Sequence, residues 1–170
     1  MNKKFLYIVI PMLLVVLMGS TKVSAQSDNK GGVSEQHRND VSKVVQELDK
    51  TAEKDKVIKD EVKTVAQEEK DVVAGVSDKM DKVEKRGGFK TFLIGSDYKN
   101  LGALRSELVT AQNRIDRLTK SLDRATSSTT QTELQTQITE LGNIKTKAET
   151  FIKEQEGKFS LFGWLARMFQ

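Results

Sequence analysis

The sequence has no cysteine, a single histidine (His37) and a single proline (Pro11) in 170 residues. Without cysteine there is no disulfide framework, no thiolate nucleophile and no lipid attachment at a processed N-terminal cysteine. His37 has neither a second histidine nor a thiol to complete a His-based zinc site or a Cys–His nucleophile, and in its polar surroundings it reads as a solvated surface side chain. Proline breaks helices, so its absence after position 11 leaves the rest of the chain free to run helical. Aromatic residues are few, at 6%. The longest apolar run, residues 5–18, has 14 residues and contains Pro11, whereas a spanning helix needs about 20.

That run has the form of an export signal. Lys3 and Lys4 precede it, and the small residues Val23, Ser24 and Ala25 suit cleavage after Ala25, so removal rather than anchoring is expected, with the mature protein in the periplasm, on the cell surface or outside the cell. Removal takes away Lys3, Lys4 and Lys22 and no acid, which lowers the formal charge from +4 to +1. The basic balance therefore belongs to the signal, and no nucleic-acid partner is expected. With charged residues at 31% and the rest rich in Gln and Thr, the mature chain points to long helices rather than a compact α/β fold.

Residues 26–33, QSDNKGGV, read as a flexible tether. One long amphipathic helix is expected over 34–86, with apolar residues at Val41, Val45, Leu48, Ala52, Val62, Ala66, Val73, Val76, Met80 and Val83 in one heptad frame. The same frame puts Asp55, Lys59 and Glu69 in the seam. Such a helix would be about 75 Å long, with a stripe longer than a small domain can cover. Gly87 and Gly88 end it, and residues 89–102, FKTFLIGSDYKNLG, read as a short extended or turn-like segment with Ser96, Asp97 or Asn100 as N-cap of the next helix.

From Leu101 the spacing sharpens through Leu104, Leu108, Ala111, Ile115, Leu118, Leu122 and Ala125, in steps of 3 and 4. This is a coiled-coil repeat. Leu134, Ile138, Leu141, Ala148 and Ile152 continue it in another phase, and the jump across residues 126–130, TSSTT, predicts a reversal, with Thr130 and Glu133 as a capping box. The fold class expected is all-α: the long helix, a glycine break, an antiparallel coiled-coil α-hairpin over 101–156 that turns near 126–130, and a short aromatic C-terminal helix within 157–170. An antiparallel hairpin brings FKTFLIGSDY and KFSLFGWLARMF to one end, and all eight aromatics of the mature chain lie in residues 89–98 or 151–169.

From RGGFKTFLIGSDYKNLG through the hairpin to KFSLFGWL, residues 86–170 resemble a group of small exported coiled-coil proteins of reduced-genome bacteria. The resemblance implies an architecture and an envelope location, and assigns no reaction, ligand or functional residue.

No catalytic, cofactor-binding or metal-ligating residue is expected, and the chain reads as non-enzymatic. Adjacent acids such as Glu68 and Glu69, or Asp60 and Glu61, are not an acid–base pair without a cleft to separate their pKa values. GGFKT, residues 87–91, lacks the spacing of a phosphate loop. The candidate residues are aromatic and apolar: Phe89, Phe92, Leu93, Tyr98, Phe159, Phe162, Trp164, Leu165 and Phe169. Two readings stand for them. They clamp the open end of the hairpin as a small core, or they bind a membrane surface or a partner's groove, through residues 159–169 in particular. The function expected is a structural or interaction protein of the envelope that acts through helix faces, as a homo-oligomer or with another envelope protein. The alternative is a periplasmic holdase or membrane-surface tether.

Overall fold

The computed structural model describes residues 32–158. They form five helices and, among the described residues, no strand: α1 (Val33–Lys54), α2 (Lys59–Glu84), α3 (Gly88–Ile94), α4 (Tyr98–Arg124) and α5 (Ser128–Glu156). The all-α class read from the sequence is the class observed. The export signal, the tether up to residue 31 and the segment from residue 159 lie outside the described residues.

The single helix expected over 34–86 is instead two helices, α1 and α2. The chain leaves the helix at Asp55, whose backbone is extended (φ −139°, ψ 108°). Its carboxylate accepts the backbone N–H of Val57 at 2.9 Å, a local side-chain bond that competes with helix continuation. A straight helix would keep about four further backbone hydrogen bonds, each worth about 1 kcal/mol net. It would also leave Val62, Val65, Val76, Met80 and Val83 in water, and burying side chains of this size is worth roughly 1.5–3 kcal/mol each. Burial wins: all five are buried once α2 folds back along α1.

Helix α1 packs on α2 and α5, and α4 packs on α2 and α5. Ion pairs fix the directions. Arg117 of α4 meets Glu61 and Glu68 of α2 at 2.6 and 2.7 Å. Lys54 of α1 meets Glu133 of α5 at 2.5 Å, and Asp40 meets Lys147 at 2.8 Å. Arg105 near the start of α4 pairs with Glu156 at the end of α5. Neighbours are therefore antiparallel, and the four long helices make an up-down-up-down bundle. The turns at 55–58 and 125–127 share one end, called here the turn end. The start of α1, the end of α2, α3, the start of α4 and the end of α5 share the other, the α3 end.

The heptad stripe of α4 faces inward, with Leu101, Leu104, Leu118 and Ala125 buried and Leu108, Ile115 and Leu122 packed against the core. On α5, Leu134, Leu141, Ala148 and Ile152 are buried likewise. Two local expectations are corrected. Helix α5 starts at Ser128 with Ser127 as N-cap, so Thr130 lies inside the helix and forms no capping box with Glu133. Glu133 turns to α1, where it binds Lys54 and accepts the Thr51 hydroxyl at 3.3 Å. The segment after Gly88 is helical rather than extended, bounded by Gly87 and Gly95, whose positive φ values of 57° and 96° suit glycine and stop α3 at both ends.

The Asp55 carboxylate also accepts the backbone N–H and the hydroxyl of Thr126, at 2.6 and 2.9 Å, which ties the two turns together. These bonds, the Thr126 N–H first and the Val57 N–H second, hold its carboxyl below the ordinary carboxylate range. A depressed folded-state pKa gives stability that is present above the unfolded value of about 3.9 and lost as pH falls through the folded one. Asp55→Asn is expected to lower the urea midpoint at neutral pH, and the gap to wild type should close as pH falls below about 4. An unchanged midpoint at neutral pH would show that the tie is dispensable.

Candidate functional site

The α3 end is assembled from short pieces with special backbone. After Gly87, α3 makes two turns held by the Thr91 N–H on the Gly87 carbonyl (3.1 Å) and the Gly95 N–H on the Thr91 carbonyl (2.8 Å). Ser96 then donates its hydroxyl to the Gln155 carbonyl of α5 at 2.6 Å, which pins the linker to the last turn of that helix. Asp97 caps α4 by accepting the Asn100 N–H at 3.3 Å and lies 3.5 Å from Arg86. The Asn100 side-chain amide, the Asn100 N–H and Arg86 hold the Asp97 carboxyl below its usual range. Glu84, at the end of α2, accepts the Val33 and Ser34 N–H groups at 2.9 and 3.2 Å and so caps α1.

On this frame the candidate residues are placed as follows. Phe89 is 77% exposed and Tyr98 64% exposed, with Phe92 at 44% and Leu93 half-buried. The apolar cluster beneath them consists of Val76, Met80, Val83, Leu101, Leu104, Ala148, Phe151 and Ile152. Of the eight aromatics, Phe151 is therefore a core residue. The end of α5 lies beside the linker after α3, so the described chain leads into residues 159–170 from this end. Phe159, Phe162, Trp164, Leu165 and Phe169 lie outside the described residues.

A second constellation lies in the bundle interior. Arg114 of α4 is 3% exposed and Glu69 of α2 is 5% exposed. The Arg114 Nε donates to Glu69 at 2.7 Å, and its Nη2 donates to Glu107 at 3.2 Å. Burial pushes the Glu69 carboxyl above its usual range against the pull of Arg114, and Glu107 and Glu68 add to the rise. Beside the pair is a cavity of about 40 Å³ walled by Val72, Val73, Val76, Ala111, Leu141 and Ala148 among others. It exists because small Val and Ala side chains meet at one level, and its size suits a few waters rather than a metabolite.

No family model, curated protein or solved structure matches this chain.

The heptad frame marks Glu69 as a charge in an apolar seam, and its partner Arg114, 45 residues on, has no local signal in the sequence. The reading of His37 as a solvated side chain is corrected by the structure. His37 is half-buried in α1, between the interior cavity and a surface groove of about 350 Å³ that runs between α1 and α5. Its neighbours explain the difference, since the polar sequence around it says nothing of the helix packed alongside. Burial lowers its pKa, Asp40 opposes that and Lys147 adds to it. Among the described residues no group of three or more His, Cys, Asp or Glu side chains is placed to hold a metal ion. No helix among them is long and apolar enough to cross a membrane.

Arg114→Met leaves Glu69 buried without its cation and is expected to cost about 3–5 kcal/mol in urea unfolding, whereas Glu69→Leu together with Arg114→Met should recover most of that loss. A neutral single substitution would contradict the burial of the pair. His37 should titrate below its ordinary value of 6.5 when followed by NMR. Because the folded state favours its neutral form, its contribution is present above about 6.5 and lost as pH falls through the folded pKa. His37→Gln should remove that part of the acid sensitivity.

Proposed function

We propose that this chain is an exported, non-enzymatic interaction protein of the cell envelope that works through the α3 end of a helical bundle. The observation that carries this reading is the exposure of Phe89 and Tyr98 on one end of a bundle whose apolar helix stripes are turned inward. Large exposed aromatics gathered at one place are a common mark of a binding surface. Action through helix faces loses its support, because the stripe that was expected to be too long to cover is covered by the fold-back of α2. Self-association would use this end, where Phe89 and Tyr98 are exposed.

Export rests on the basic start, apolar run and small residues of positions 1–25. The resemblance of residues 86–170 to small exported coiled-coil proteins of reduced-genome bacteria points the same way. The non-enzymatic reading is supported by the small size of the interior cavity, and by the mutual pairing of Glu69, Arg114 and Glu107 in its lining. A holdase or tether is the second reading, and the cations that flank the exposed aromatics favour a charged partner surface over an unfolded client.

A photo-crosslinking residue in place of Phe89 is expected to give intermolecular adducts in living cells, while the same residue in place of Val57, 57% exposed at the turn end, gives none. Equal labelling from both positions, or none from position 89, would sink the reading.

A further inference from the structure

The α3 end differs from the turn end in charge as well as in aromatic content. The segment 85–99, KRGGFKTFLIGSDYK, carries four cations, Lys85, Arg86, Lys90 and Lys99, against one carboxylate, Asp97. Asp97 is committed to capping α4 and to Arg86, and Lys85 is paired with Asp81 at 2.7 Å. Lys90 and Lys99 are exposed and have no carboxylate partner among the described residues. Each follows an exposed aromatic ring, as Phe89–Lys90 and Tyr98–Lys99. Lys158, where the described chain stops, is exposed at the same end and donates only to the neutral Gln155 amide, at 2.5 Å, while Glu154 one turn earlier is an exposed carboxylate without an ion pair among the described residues, so three free lysines stand against one free acid. After Lys158 the sequence runs FSLFGWLARMFQ, with Arg167 and no acid. At the turn end, residues 53–59 hold Glu53 and Asp55 against Lys54, Lys56 and Lys59, with no aromatic; Glu53 neutralises Lys59 and Lys63 and Glu133 neutralises Lys54, which leaves Lys56 as the free lysine of that segment.

We propose that the α3 end docks on an anionic lipid surface. Phe89 and Tyr98 enter the headgroup boundary, where rings with one apolar face and a wet neighbour are favoured, and Lys90, Lys99 and Lys158 lie over the lipid phosphates. Charge complementarity selects this partner. A neutral apolar groove on a protein would gain nothing from three unpaired cations and would have to desolvate them, whereas a negative bilayer attracts them while leaving them hydrated. The bundle then stands on the membrane with its turn end outward. This inference rests on the proposed function, because it names the partner of the same end.

The test uses the exported chain, produced from the full 1–170 reading frame, in co-sedimentation with phosphatidylcholine vesicles that contain or lack phosphatidylglycerol. The expected result is binding to the anionic vesicles alone, weakened by added salt. Each lysine near an anionic surface strengthens binding about fivefold, so Lys90→Glu with Lys99→Glu is expected to weaken it at least about twentyfold. Phe89→Ser with Tyr98→Ser should weaken it as well, with the far-UV circular dichroism of both variants unchanged. All four side chains are exposed, so loss of folding is not expected, and the salt dependence of the wild-type chain gives a second readout. Equal binding to neutral vesicles, absence of binding, or binding to anionic vesicles that survives both pairs of substitutions overturns the proposal. Vesicle binding that fails while position 89 still crosslinks to a protein overturns the lipid surface and leaves the α3 end as the working end. Failure of both removes both readings.

Discussion

The Asp55 carboxylate is the point on which the arrangement of the two helix pairs turns. It accepts one N–H within its own turn and two donors from Thr126, 71 residues later, so a single side chain ends α1 and holds the α4–α5 turn against it. Donors this close to a carboxylate are charge-assisted and short, and they leave little freedom for one hairpin to slide on the other. At the α3 end Glu84 does related work, capping α1 from the end of α2. Each end of the bundle is thus fixed by a carboxylate that bonds backbone N–H groups, and the helices between them are left to pack.

Their packing explains where the apolar stripes went and why the middle of the bundle is polar. Val and Ala dominate the facing surfaces of α1 and α2, and small side chains leave a gap at the level of Ala111 and Ala148. Arg114 and Glu69 lie beside that gap. A buried pair of this kind adds little net stability, because desolvation offsets the attraction. What it contributes is register: α2 can meet α4 at few positions without stranding a charge. The hydrogen bond from Gln137 to Thr51, 2.7 Å long and buried, imposes a similar condition between α5 and α1.

The parts legible in the sequence were those with a local cause. The 3–4 spacing from Leu101 to Ala125 marks the inward face of α4, Asp97 is among the expected caps, and the glycine break at 87–88 does separate α2 from the next element. The break at Asp55 was not legible, because it contains neither glycine nor proline and its sequence, DKVI, tolerates a helix. Its cause is the burial gained when α2 folds back, with Asp55 held by Thr126, and only the folded chain supplies either. The clue was present in Asp55 and Glu69, two acids in an apolar seam, and each proved to hold a distant donor. His37 was misread for the complementary reason, since burial there comes from a neighbouring helix. At the candidate site, the meeting of the 89–98 segment with the end of α5 was legible from matched arm lengths. The outward placement of Phe89 and Tyr98 depends on the backbone at Gly87 and Gly95, which composition does not encode.

The near balance of charge over the whole chain does not weaken the asymmetry between the two ends. Helix α4 has 27 residues and is about 40 Å long. At physiological ionic strength the screening length is about 8 Å. An object that approaches the α3 end therefore experiences Lys90, Lys99 and Lys158 together with the carboxylates of that end, and almost nothing of the charges at the turn end, four to five screening lengths away. Net charge governs solubility, but recognition is governed by what lies within one screening length of the contact. Most acids of that end are committed to caps and ion pairs, with Glu154 the exposed exception, and the cations set beside aromatic rings, not the total, give the bundle a direction.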